Sequence, residues 1–150
     1  MIFAVMGTAP LHAASGESDL TIFGKDGSTL ATFTQDDAEA LGTHEIVTKT
    51  PWTNGSIRLS GVRATRLLAE AGLANVDLTV IALDDYMAVV PWSDLVERDA
   101  LFATRIDGER LTFDQRGPFW LIFDFDDVPE AEMSEMASKA VWHLVQIEVE

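Results

Sequence analysis

Six carboxylates crowd one stretch of this chain: Asp124, Asp126, Asp127, Glu130, Glu132 and Glu135 follow the apolar run 119–123. Asp124, Asp126 and Glu135 stand at the first, third and twelfth positions of an EF-hand loop, a spacing that would surround calcium with hard oxygen ligands. The other positions defeat that chemistry. Val128 stands where an oxygen is required, Pro129 where the sharp turn calls for glycine, and the residues upstream read as strand instead of helix. The cluster therefore reads as a buried strand running into an acidic loop. The helix after it carries its first-turn glutamates at the positive end of the helix dipole.

Other chemistry-bearing residues are sparse. Of the three histidines, His12 lies near the start, and His44 and His143 stand alone on expected strands, without HxH or HExxH spacing. No GxSxG elbow exists; Ser28 and Ser60-Gly61 sit in ordinary strand or turn contexts. Neither GxGxxG nor GxxxxGK[ST] occurs. The chain has no cysteine, which removes disulfides, thiolate nucleophiles and thiolate metal ligands together. Spacing alone reveals no enzyme.

Ten basic residues against 25 acidic ones leave a formal charge of −15. That surplus repels phosphate backbones and anionic lipid surfaces, so nucleic acid is not an expected partner. With 150 residues and 47% hydrophobic content, the chain suits one domain with a real core. No run in the body of the chain reaches the roughly 18 apolar residues of a membrane span. The first residues are apolar, pass through the small pair Ala13-Ala14 and turn polar, an order like the end of a secretory signal, although no Lys or Arg precedes Lys25. Residues 1–13 are therefore expected to be a leader or signal remnant, and the domain over 20–150 to be exported to a bacterial periplasm.

The elements that must position any site follow from periodicity. Alternation on both sides of Lys25-Asp26-Gly27 predicts a hairpin, and TQDDAEALG predicts a helix capped by Thr34 and closed by Gly42. HEIVTKT and SIRLSGV read as strands around a turn, and ATRLLAEAG as a helix burying Leu67 and Leu68. VDLTVIAL and MAVVP are strands around a DDY turn, and SDLVERD is a helix capped by Ser93. LFATRI and RLTF flank the hairpin signal Asp107-Gly108, FWLIF should be a central strand, a helix should run from about 129 to 138, and WHLVQIEV should be the last strand. The sum is an α+β domain with about ten short strands in mixed sheets and three or four short helices.

One succession of segments carries more: TKTPWTNG, LSGVRATRLLAEAGL, ALDDYMAVVPWSDL, IDGERLTF, RGPFWLIFDFDD and KAVWHLVQIEV. In order and spacing it resembles the oxidoreductase molybdopterin-binding domain, the fold of the sulfite oxidase family, from about residue 20 to 150. Gly61-Val62 with Leu67-Leu68 match that family's turn and helix, Asp85-Tyr86 its pair before a strand ending in Pro91, and Gly117-Pro118 its aromatic strand entry. The resemblance implies molybdopterin as cofactor and an acidic loop after the central strand. The departures are the absent cysteine, which in the family's enzymes ligates molybdenum just before the GV.L..LL helix, Asp124 in place of proline, and Lys139 in place of arginine.

Thr50 or Thr53 cannot replace a soft thiolate in that ligand field. The expectation is thus a non-catalytic binding module without a metal cofactor, holding a small anionic or pterin-like ligand, or an envelope partner, where the enzymes hold theirs. The candidate pocket comprises Lys49, Thr50, Trp52, Asp85, Tyr86, Arg116 and Lys139, with Trp52 and Tyr86 as flat walls and Arg116 and Lys139 as anion contacts. Arg58, Arg63 and Arg66 are further candidates for a phosphate tail, and Asp124 is expected to pair with Lys139. Two alternatives stand beside this: an oxidoreductase using the pterin without a protein thiolate, and an interaction subunit of an envelope complex.

Overall fold

Segments of period two become strands wherever a turn residue lets the chain fold back, and the first such turn opens the fold. The computed structural model describes residues 18–150; the expected leader lies outside the described residues. β1 (Leu20–Phe23) and β2 (Thr29–Phe33) form an antiparallel hairpin across Lys25-Asp26-Gly27. The carboxylate of Asp26 accepts hydrogen bonds from the Ser28 backbone and hydroxyl, which holds its carboxyl below the usual range. α1 (Gln35–Glu39) starts on a full capping box. Thr34 Oγ1 accepts from the Asp37 N–H at 3.0 Å, and the Asp37 carboxylate accepts from the Thr34 N–H at 2.9 Å.

β3 (His44–Lys49) pairs along its whole length with residues 56–61 of β4 (Ser56–Arg63). α2 (Ala64–Glu70) then buries Leu67 and Leu68. β5 (Leu78–Ala82) and β6 (Met87–Val90) flank the Asp84-Asp85-Tyr86 turn, and α3 (Trp92–Glu97) follows. The cap of α3 differs from the sequence expectation. Pro91, not Ser93, is the capping residue, and the Trp92 N–H donates to the Asp77 side chain at 2.9 Å. Proline has its φ preset for the entry, so the helix begins two residues earlier than a Ser93 cap would allow.

β7 (Leu101–Ile106) pairs with β4 on one side, and on the other with β8 (Glu109–Arg110) and β9 (Trp120–Ile122). The expected RLTF strand is shorter than its alternation suggests, because Phe113–Gln115 wind into a 3₁₀ turn that Arg116 ends at φ 75°. After α4 (Glu130–Lys139), β10 (Leu144–Val149) inserts between β1, to which it is parallel, and β5. The result is two sheets, β2-β1-β10-β5-β6 and β3-β4-β7 with β8 and β9 sharing the edge of β7. Ten strands and four α-helices among the described residues make the α+β class that the sequence predicts.

β9 corrects one expectation. It is fully buried, as its composition demands, yet it has a strand on one side only. Its other edge is sealed by the link from α4 to β10: the Leu121 N–H donates to Val141 O at 2.9 Å, and the Leu144 N–H to Phe119 O at 2.9 Å. Burial came from coverage instead of a central position. One core joins the two sheets, with Leu20, Ile22 and Val80 from the first meeting Phe102, Trp120 and Leu121 from the second. Within the second sheet, Gly61 lets β4 and β7 approach closely, since a Cβ there would lie 2.1 Å from the Phe102 carbonyl oxygen, at the point where the β4–β7 register shifts. Among the described residues no helix is long and apolar enough to cross a membrane.

Candidate functional site

The turn leaving β3 sets the site. Thr50 is buried, and its hydroxyl lies 2.7 Å from the Thr53 hydroxyl and accepts from the Trp52 N–H at 3.2 Å, closing a tight loop. That loop aims Trp52 at a group of aromatic rings contributed by other elements. Its ring centroid lies 5.2 Å from Trp142 at 89°, 5.9 Å from Phe125 at 86°, and 5.9 Å from Trp120 at 58°. Edge-to-face arrangements of this kind suit the quadrupoles of the rings. Trp120 is completely buried and donates its indole N–H to Ala140 O at 3.3 Å, whereas Trp52 and Trp142 remain partly exposed.

Their exposed surfaces face a hollow of about 390 Å³. Trp52 and Trp142 line it together with Tyr86 and Asp84 from the β5–β6 turn, and Ser134 and Ser138 from α4. The Tyr86 hydroxyl donates to Ser138 O at 2.7 Å, latching the turn to the helix, and the Tyr86 N–H donates to Asp84 Oδ1 at 3.2 Å. Asp85 takes the left-handed conformation at φ 72°, which lets the turn reverse. It is a shaping residue and does not line the hollow. A second hollow of about 410 Å³ is lined by Lys49, Thr50, Pro51, Phe125, Asp126 and their neighbours. Here the Asp126 carboxylate accepts from the Lys49 N–H at 3.0 Å, and the Phe125 N–H donates to the buried Thr48 hydroxyl at 2.8 Å.

The sequence-predicted residues thus divide. Trp52 and Tyr86 meet in the first hollow, and Lys49 and Thr50 in the second, while Arg116 and Lys139 line neither. Lys139 is drawn into ion pairs with Asp94 at 2.7 Å and Glu135 at 3.1 Å. Burial pushes its ammonium pKa down, but hydrogen bonds and charge from both carboxylates outweigh this and raise it. The expected Asp124–Lys139 pair does not form. The Asp124 side chain accepts from the Asp126 N–H at 3.0 Å, and α3 brings Asp94 nearer to the lysine.

Arg116 instead lays its guanidinium over Trp120 and Trp142, at 5.1 and 5.2 Å from the ring centroids. Arg58, Arg63 and Arg66 pair with Glu45, Asp99 and Glu70. Arg98, Arg105 and Arg110 are likewise paired with carboxylates. Among the described residues only Lys25, Lys49 and Arg116 of the ten cations lack a carboxylate partner.

The acidic stretch resolves into local duties. Asp124 and Asp126 hold loop N–H groups, Glu130 and Glu132 occupy the first turn of α4, and Glu132 reaches Arg98 at 3.6 Å. Among the described residues no group of three or more His, Cys, Asp or Glu side chains is arranged to hold a metal ion. His44 bridges Asp99 and Arg63. His143 stacks on Phe113 and lies 2.8 Å from its carbonyl oxygen. Sequence reasoning named neither Trp142 nor Asp84 as a site residue. The signal was present in the aromatic that precedes the last strand and in the paired aspartates of the turn, but neither indicates a shared cavity without the fold.

Comparison with known proteins agrees with this architecture. No curated protein matches the chain. The crystal structure of the sulfane dehydrogenase SoxCD from Paracoccus pantotrophus is similar in fold, with a TM-score of 0.64 at 17% sequence identity over 87% of this chain. The chain spans only 37% of that protein's chain. The family model described as the oxidoreductase molybdopterin binding domain matches residues 20–124, a stretch that holds β1 to β9, Gly61 at the β4–β7 contact and the Gly117-Pro118 entry to β9, while β10, the central strand of the first sheet, follows it. The chain belongs to the oxidoreductase molybdopterin-binding domain family.

Proposed function

We propose that this chain is a non-catalytic binding module of its family, with a small ligand held against Trp52, Tyr86 and Trp142. The observation that carries the reading is the Thr50 turn beside the tryptophan-walled hollow. Where family enzymes use a cysteine thiolate, this chain offers a buried hydroxyl already bonded to Thr53, a hard neutral donor unsuited to the thiolate's role. The residues present therefore do not fit a thiolate-held molybdenum. Most cations that could hold a phosphate-bearing tail are also neutralised within the protein, leaving Lys49 and Arg116 as the unpaired members of the predicted set.

Elemental analysis of the protein purified from its own host tests this reading. Metal-free protein that retains a small organic ligand is the expected result, and near-stoichiometric molybdenum or tungsten would overturn it. Family membership favours a second reading, a pterin-dependent oxidoreductase with a non-thiolate site; pterin fluorescence after oxidative release would support it. The exposed apolar residues Leu83, Tyr86, Met87 and Val89 around the β5–β6 hairpin support an additional role in binding an envelope partner. Export to the periplasm rests on the N-terminal pattern. An intact mass starting near Ala14 is expected from cells expressing the gene, and an intact Met1 would exclude it.

A further inference from the structure

We infer that the hollow between Trp52, Tyr86 and Trp142 is selective for a small organic cation of the quaternary-ammonium class. The inference deepens the binding-module reading and rests on it. Three aromatic side chains wall the hollow, and among the described residues the only charged side chain lining it is Asp84. One oxygen of that carboxylate is fixed by the Tyr86 N–H, which holds a negative charge at the aromatic turn. Aromatic faces attract a cation through their quadrupoles, and a nearby carboxylate adds Coulombic attraction.

The same group of indoles already performs this recognition within the molecule. Among the described residues Arg116 has no carboxylate partner, and its guanidinium is held over Trp120 and Trp142. Among the described residues no cationic side chain lines the hollow to serve an anion. Lys139 turns away to Asp94 and Glu135. The Tyr86 hydroxyl is committed to Ser138 O, and the Ser138 hydroxyl to Glu135 O at 2.6 Å. The formal charge of −15 raises the local concentration of any cation near the mouth. The sequence expectation of an anionic ligand drew on Arg116 and Lys139, and neither lines this space.

Tryptophan fluorescence of the full chain, titrated with choline and with its uncharged isostere 3,3-dimethylbutan-1-ol, tests the inference. Saturable binding of choline at least tenfold tighter than of the isostere is expected, with no response to inorganic phosphate. Asp84→Asn should weaken choline several-fold and leave the isostere unchanged. Tyr86→Ala, at an exposed position, should weaken both while circular dichroism stays unaltered. Equal binding of choline and isostere, or binding of phosphate, would overturn the cation inference and leave the module reading intact. Absence of any choline response in a folded protein would also overturn the inference. Molybdenum in the host-purified protein would instead remove the reading on which it rests.

Discussion

Two corners of this molecule treat their functional groups in opposite ways. At the α1 corner, Glu39 accepts from the buried Thr104 hydroxyl at 2.6 Å and from Arg105 at 3.0 Å, with Arg110 at 3.3 Å. Nearby, Gln35 donates both to Leu111 O at 3.0 Å and to Pro118 O at 2.8 Å. Donors and acceptors find each other inside the protein, so the corner is complete by itself. At the tryptophan corner the rings meet edge to face, and surfaces of Trp52 and Trp142 are left against open space. A polar network that closes on itself locks a scaffold, whereas apolar faces beside a hollow await something else. The family fold supplies both, but only the second has room for a ligand.

The sharpest way to break this contrast is at the floor of the first corner, where α1 packs on β4. In Gly61→Ala the new Cβ meets the Phe102 carbonyl and the Ala103 Cα, backbone atoms that cannot move aside. We expect a loss of about 3 kcal/mol in urea denaturation, enough to unfold a marginal domain. An unchanged midpoint would mean that the two strands are less tightly held than their geometry indicates.

Trp52→Ala addresses the other corner. Because the side chain is only partly buried, the expected cost is about 2 kcal/mol, below the range for a fully enclosed tryptophan. Circular dichroism should keep its native form while choline binding is lost. A collapse of the fold would make Trp52 a core residue and return the corner to scaffold.

Glu39→Gln should cost about 1.5 kcal/mol by weakening charge-assisted hydrogen bonds. Burial alone would raise the Glu39 pKa, but the bonds from Thr104 and Arg105 and the charges of Arg110 and Arg105 hold it below the ordinary glutamate range. A depressed folded-state pKa gives stability that is present at neutral pH and disappears as pH falls from the ordinary glutamate range through the folded value. The variant should therefore lose part of the acid-induced fall seen in the parent. Identical acid limbs in the two proteins would show that the network carries no such linkage.

The smallest expected change is Tyr86→Phe. It removes the latch to Ser138 O and should cost about 0.5 to 1 kcal/mol, while the aromatic wall and choline binding persist. Loss of binding in this variant would assign recognition to the hydroxyl instead of the ring face.

Much of the framework was readable before any coordinates. The Thr34 cap, the Lys25-Asp26-Gly27 hairpin and the Asp107-Gly108 turn depend on residues a few positions apart, where local geometry decides. Ser93 failed because its neighbour Pro91 competed for the same cap, and the RLTF strand failed because the chain turned at Phe113 once its pairing with β7 ended. The family resemblance put Trp52 and Tyr86 forward as candidate pocket residues, and they line one hollow. The pairing of Lys139 was not legible, because Asp94 lies 45 positions away and only the packing of α3 near α4 brings the two together.

The sequence by itself determined the α+β class, the order of strands and helices, the acidic surface and the absence of a thiolate, since each depends on composition, period or local turn chemistry. Tertiary structure decided which cations are consumed by carboxylates and which tryptophans keep a free face. Those outcomes depend on contacts between segments far apart in the chain, which side-chain type and spacing do not encode. The charge of the candidate hollow, set by Asp84 and by the withdrawal of Lys139, therefore emerged only when the β5–β6 turn, α4 and the Trp52 loop closed around one space.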